Sequence, residues 1–204
     1  YVFGIDASGF LFRGHPTPVT VADILDEDRQ LDMRLLSNTK NNIDFNNLTL
    51  NLNWKHSFDS TGRELTADFD YVAYGNVSDM LLTTAYYNSS LQHTGTSLLK
   101  GYLPANIDIY TFKTDYTHPL KNGKIELGAK FSFVRNDNEV NYYNMIGDKW
   151  EVNLNRSNHF IYDENINAGY INYGHQLKKW NFQAGLRIEN TNSKGNQLGN
   201  QVVE

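Results

Sequence analysis

The sequence predicts an all-β protein, an antiparallel meander forming part of a transmembrane β-barrel. Three observations carry that expectation. Apolar and polar residues alternate in Leu48-Thr49-Leu50-Asn51-Leu52-Asn53-Trp54. A strand sends successive side chains to opposite faces, so this segment has one greasy side and one wet side. The pattern returns in further segments of about ten residues, the length a tilted strand needs to cross hydrocarbon. Tight turns and long polar connections alternate between the segments. Outer-membrane barrels are built that way, with short periplasmic turns and long extracellular loops.

Seven strands are expected in the single region 1–204, at 1–13, 43–57, 63–75, 105–117, 124–135, 162–176 and 180–192. The first alternates imperfectly. Residues 14–42 hold Pro16, Pro18 and Asp26-Glu27-Asp28, and read as a long loop with a short helix near Val21–Leu25. The second strand ends at Asp59-Ser60-Thr61-Gly62, where Asp and Ser favour a turn and Gly tolerates positive φ. The third sets Leu65, Ala67, Phe69 and Tyr71 against Glu64, Thr66, Asp68 and Asp70. A long connection over 76–104 follows. The fourth sets Tyr110, Phe112 and Tyr116 against Thr111, Lys113 and Asp115, and Pro119 to Gly123 turn the chain. The fifth sets Ile125, Leu127, Phe131 and Phe133 against Lys124, Glu126, Lys130 and Ser132. A third long loop spans 136–161. The sixth and seventh are joined at Leu177-Lys178-Lys179, and Trp180, Phe182, Leu186 and Ile188 mark the greasy side of the seventh. All four prolines are expected in connections, since proline cannot donate to a ladder.

Composition limits the classes. Aromatics are rich (13 Tyr, 11 Phe, 3 Trp), and mean hydropathy is -0.55. No run of about 18 apolar residues marks a membrane helix. The net charge of -5 comes without a basic patch, which argues against nucleic acid. There is no cysteine, so disulfides and a cysteine nucleophile are excluded. No signal peptide is read. The chain starts inside a strand-like segment and residues 199–204 read as an interrupted loop, so both ends are expected to be cut. Trp54, Phe58, Tyr116 and Trp180 lie near the short-turn end, where aromatic side chains bridge hydrocarbon and headgroups.

Three segments carry a resemblance. They are Tyr110 to Leu120 (YTFKTDYTHPL), Asn155 to Tyr170 (NRSNHFIYDENINAGY) and Trp180 to Thr191 (WNFQAGLRIENT). They contain, in order, a D-Y-T-H-P turn, an N-x-F-x-Y-x-E-N-I-x-A-x-Y strand start and a G-L-R-x-E-x-T strand. In this the chain resembles the barrel region of Bacteroidetes outer-membrane proteins of the TonB-dependent receptor type, most specifically over 105–195. The resemblance implies a large barrel of about 22 strands with an N-terminal plug, in the bacterial outer membrane, taking up a solute with energy relayed by TonB. Seven strands do not close such a barrel, and neither a plug nor a TonB-contacting segment is recognised in the chain. The implied partners are outer-membrane lipid, the TonB system through the missing N-terminal part, and an unidentified small solute, glycan or peptide.

The candidate sites follow from this frame. Asp68, Asp70, Lys113, Asp115, Glu126, Lys130, Arg187 and Glu189 are expected to face the lumen. They either guide a solute or satisfy one another by cross-strand pairing, and pairing is the simpler role. Tyr86, Tyr87, Tyr102, Tyr142, Tyr143 and Trp150 are the ligand-contact candidates, placed on external loops. His56, His118 and His175 sit near short turns, but nothing in their spacing selects a metal site. No catalytic motif is found, and neither an enzyme nor a cofactor is expected. The competing expectation is a soluble, extracellular β-sandwich binding module, with glycans as its candidate ligands. The two differ in whether Leu48, Leu50, Leu52, Ile125, Leu127, Phe131 and Leu186 face lipid or a second sheet.

Overall fold

The structure, a computed structural model, describes residues 1–199. The interrupted loop expected at 199–204 lies, from residue 200 on, outside the described residues. Among the described residues nine strands form one antiparallel sheet: β1 Val2–Gly14, β2 Val19–Leu25, β3 Leu31–Ser57, β4 Glu64–Asn88, β5 His93–Leu120, β6 Gly123–Ile146, β7 Lys149–Val152, β8 Asn158–Leu177 and β9 Trp180–Gln197. The order is β1-β3-β4-β5-β6-β8-β9, with β2 also on β3 and β7 also on β6. Leaving β2 and β7 aside, strands that follow one another in the chain are neighbours in the sheet.

Two positions in the sheet are shared. β1 and β2 keep one register along β3, since Gly14 faces Ile43 and Val19 faces Asn38. Between them the carbonyls of Pro16 and Pro18 accept the N–H groups of Asn41 and Thr39 at 3.1 and 3.0 Å. The prolines lie on the sheet edge, where a missing N–H costs no ladder bond. β7 and β8 likewise share one flank of β6, and residues 153–157 bulge out between them.

The strands reach much further than expected. β3 to β6 run 27, 25, 28 and 24 residues. Most of the expected long loops at 14–42, 76–104 and 136–161 is paired strand, and the expected helix near Val21–Leu25 is β2. The Ser-, Thr- and Asn-rich composition of these stretches suits a sheet with water beside it as well as a loop, and backbone pairing is indifferent to it. Pro104 and Pro119 lie inside β5, against expectation. Pro104 is tolerated because the β5–β6 pairing lapses between Tyr102 and Ala105. Pro119 stands at the last rungs before the turn, opposite Lys124.

The alternation changes phase partway up. Low on the strands one row reads Leu52, Phe69, Phe112, Phe131 across β3 to β6. The opposite face of the same level carries Asn51, Asp70, Thr111 and Ser132. Higher up the roles swap. Phe45, Ile107 and Val134 belong to the polar face below, while Asp44, Asp108 and Arg135 continue the apolar face. A sheet that leaves a bilayer must behave in this way: its outer face meets hydrocarbon, then water.

The apolar run also slides along the register. On β6 it reaches Phe133, but the residue facing Phe133 on β8 is already Asn165. The turns slide in the same sense. Glu64 faces Thr117 while β5 runs on to Leu120, and Gly123 faces His175 while β8 runs on to Leu177. Steady stagger of this kind is what tilted barrel strands require.

No second layer covers the apolar face among the described residues. Leu186 and Ile188 are 63% and 70% exposed, and Leu48, Leu52, Leu127 and Phe131 are exposed as well. The opposite face is the more sheltered, and Ser132 and Ala168, both on it, are buried. A sandwich would bury the apolar face instead, so that expectation fails. Among the described residues β1 and β9 do not pair, and the sheet they bound is open.

Candidate functional site

The sheltered inner face gathers all eight charged residues expected in the lumen. Asp68, Lys113 and Lys130 form one cross-strand row, and Lys130 continues through Ala168 to Glu189. The next row toward the turns is Asp115, Gly128, Tyr170 and Arg187. The short contacts run mainly along strands, not straight across them. Lys113 Nζ is 2.6 Å from Asp115 Oδ2, Arg187 Nη2 is 2.6 Å from Glu189 Oε2, and Lys124 Nζ is 2.5 Å from Glu126 Oε1. Asn51 donates to Asp70 Oδ1 at 2.6 Å, and Tyr170 donates its phenol to Asp115. Lys130 has no ion-pair partner within reach among the described residues. The pattern is a wetted wall of mixed charge that holds its own geometry.

The six aromatic candidates do not converge. All lie in strands, against the expectation of loops. Tyr86 and Tyr142 point inward, whereas Tyr87, Tyr102, Tyr143 and Trp150 lie on the outer face of the extended wall. Tyr86 lines an inner groove of about 720 Å³ with Leu35, Leu82, Leu99 and Arg156. Its hydroxyl is 3.0 Å from Ser97 Oγ. Arg156 comes from the 153–157 bulge, a feature no sequence pattern announced.

The turn end carries a belt on the outer face. Phe58 meets Tyr116 edge-on with centroids 6.1 Å apart. His56 stacks on Tyr1 at 4.2 Å and meets Phe58 at 4.4 Å, His118 lies beside Tyr116, and His175 stacks on Tyr173 at 6.1 Å. The three histidines therefore belong to the belt with Trp54 and Trp180. Among the described residues no three His, Asp or Glu side chains are grouped to hold a metal. The turn below is pinned by Asp59, whose carboxylate accepts the Thr61 N–H at 2.9 Å, with Gly62 at φ +92°. The Thr61 hydroxyl, with that N–H, holds the Asp59 carboxyl below its usual range.

A bare apolar band, an aromatic belt at the short-turn end, a charged inner face and staggered antiparallel strands together describe one sector of a barrel wall in a bacterial outer membrane. No curated protein matches the chain. Residues 56–204 match the model of the outer membrane protein beta-barrel family, and to that family the chain belongs.

Proposed function

We propose that this chain is a sector of a large barrel of the TonB-dependent receptor type, from a Bacteroidetes outer membrane, that binds and takes up a solute. One observation carries the reading. Eight charged side chains crowd the inner face of neighbouring strands, and such a lining belongs to a wide, wet lumen, not to the side-chain-filled interior of a small barrel. The resemblance over 105–195 supports the same reading. So does the inner groove beside Tyr86, at the end of the wall away from the Asp59 turn and the aromatic belt, where a solute arriving from outside would first lodge. The wall guides and selects; it performs no catalysis. TonB is engaged through a plug N-terminal to this sector, and the solute is a small molecule, glycan or peptide.

The test uses the full-length protein extracted from its own outer membrane in mild detergent. It should migrate differently on a gel before and after boiling, and should bind the isolated periplasmic domain of TonB. A heat-dependent shift without TonB binding would overturn the receptor reading and leave a barrel of another role.

A further inference from the structure

The outer face of β8 and β9 changes character abruptly. Ile188 faces Gly169 at the top of the apolar run. The next rung is Asn190 with Asn167, the next Asn192 with Asn165, and the next Lys194 with Asp163. On β6 the same rungs continue as Phe131, Phe133 and Arg135. Four outward amides thus form a square. Two exposed phenyl rings flank it and a row of alternating charge crowns it.

We propose that this patch binds the phosphorylated sugar headgroup of the outer-leaflet glycolipid. Four amides would be costly in hydrocarbon, so the square marks headgroup level. Asn167 donates to Asn165 at 2.5 Å, Asn192 donates to Asn190 at 2.7 Å, and Asn165 donates to the Ser132 carbonyl at 3.2 Å. An amide offers two donors and a two-lone-pair acceptor. These contacts leave donors and acceptors on the square turned outward. Amides beside exposed aromatic rings suit the hydroxyls and the apolar face of a sugar. Phe131 and Phe133 supply those rings. Phosphate is left to the cations. Arg135 stands 3.7 Å from Asp163, a loose pairing, and Lys194 has no ion-pair partner within reach among the described residues. Asp163 between them keeps the two cations apart and leaves the row with one net positive charge. The patch is continuous with the lipid-facing band, so a molecule whose acyl chains lie on that band brings its headgroup here. A free edge on β9 does not alter this, because pairing with another strand leaves the outward face outward.

The experiment takes the full-length protein from its outer membrane, strips it of lipid, and offers it detergent micelles carrying glycolipid purified from the same membrane. Micelles carrying phosphatidylglycerol, which is anionic but has no sugar, form the second arm. The native protein should retain the glycolipid in preference to phosphatidylglycerol. Retention should fall about tenfold in a variant combining R135A, K194A, N190A and N192A. N51A, on the inner face, should retain as the native protein does. Heat-dependent migration of every variant reports that the barrel is intact. Equal retention by the fourfold variant, or no preference between the two lipids, would overturn the proposal. Uptake and TonB binding do not enter the test, so its failure leaves the receptor reading standing.

Discussion

Tyr170 reaches Asp115 across an intervening strand, because the residue between them on β6 is Gly128. The phenol ring lies over the glycine, where a Cβ would collide with both the ring and the Asp115 carboxylate. Asp115 thereby holds Lys113 from its own strand and Tyr170 from two strands away. A valine at position 128 should expel the ring and cost about 1–3 kcal/mol. Y170F should remove only the hydrogen bond and cost less. Urea unfolding of the refolded full-length protein, followed by loss of heat-dependent migration, ranks the two.

Leu50 and Asn42 share the outer face of β3, one below the phase change and one above it. These 204 residues contain no cysteine, so a cysteine introduced here is the single thiol of this sector. L50C should stay silent toward a membrane-impermeant thiol reagent applied to whole cells, whereas N42C should react. Equal labelling at both positions would remove the assignment of the phase change to the membrane surface.

Ser157 closes a gap in the ladder. Its hydroxyl accepts the Tyr142 N–H at 2.9 Å and lies 3.3 Å from the Tyr142 carbonyl, where β8 has not yet resumed pairing with β6. The side chain is buried. S157A should leave the Tyr142 N–H unsatisfied and cost about 1–3 kcal/mol locally. Hydrogen exchange at Tyr142 and across 153–157 should quicken, with the lower half of β6 unchanged.

At the far tip, Asp23 receives two bonds from Arg34, at 2.6 Å from Nε and 2.8 Å from Nη2. Those bonds hold the Asp23 carboxyl below its ordinary value. A carboxyl depressed in the folded state stabilises fully above its unfolded pKa, and the contribution is lost as pH falls through the folded one. The pair is exposed and its contribution to the β2–β3 hairpin is small; that contribution should persist through mildly acidic pH and fade only below the ordinary carboxylate range, with the backbone ladder remaining. R34A should return the Asp23 titration, read by NMR, to that range.

The membrane zone was legible because one constraint rules it: lipid on one side and water on the other, so Leu48 to Trp54 and Ile125 to Phe133 alternate cleanly. The upper wall was not. Phe45 and Ile107 are apolar on the opposite phase from Leu48 and Phe112, and where two phases meet a strand reads as noise. Pro16 and Pro18 mark a connection, as expected, between β1 and β2; that their carbonyls still bond to β3 along the sheet edge is a relation between distant segments that no local pattern shows. The eight charges were assigned to one face by parity alone. The reach of Tyr170 over Gly128 is a relation among three strands, which no local pattern encodes. The aromatics Tyr86 and Tyr87 are adjacent in sequence, so in a strand they had to part company, one inward and one outward.

Strands of 24 to 28 residues are more than twice what a bilayer requires. Over β3 to β6 the part that a phage tail, an antibody or a neighbouring cell would touch is consequently paired backbone, capped by brief turns. Variation at such a surface is confined to side chains that project from a fixed lattice. A binder selected against it would recognise a rigid relief, with its epitope spread over several strands, and a short synthetic peptide copied from any one tip would fail to compete.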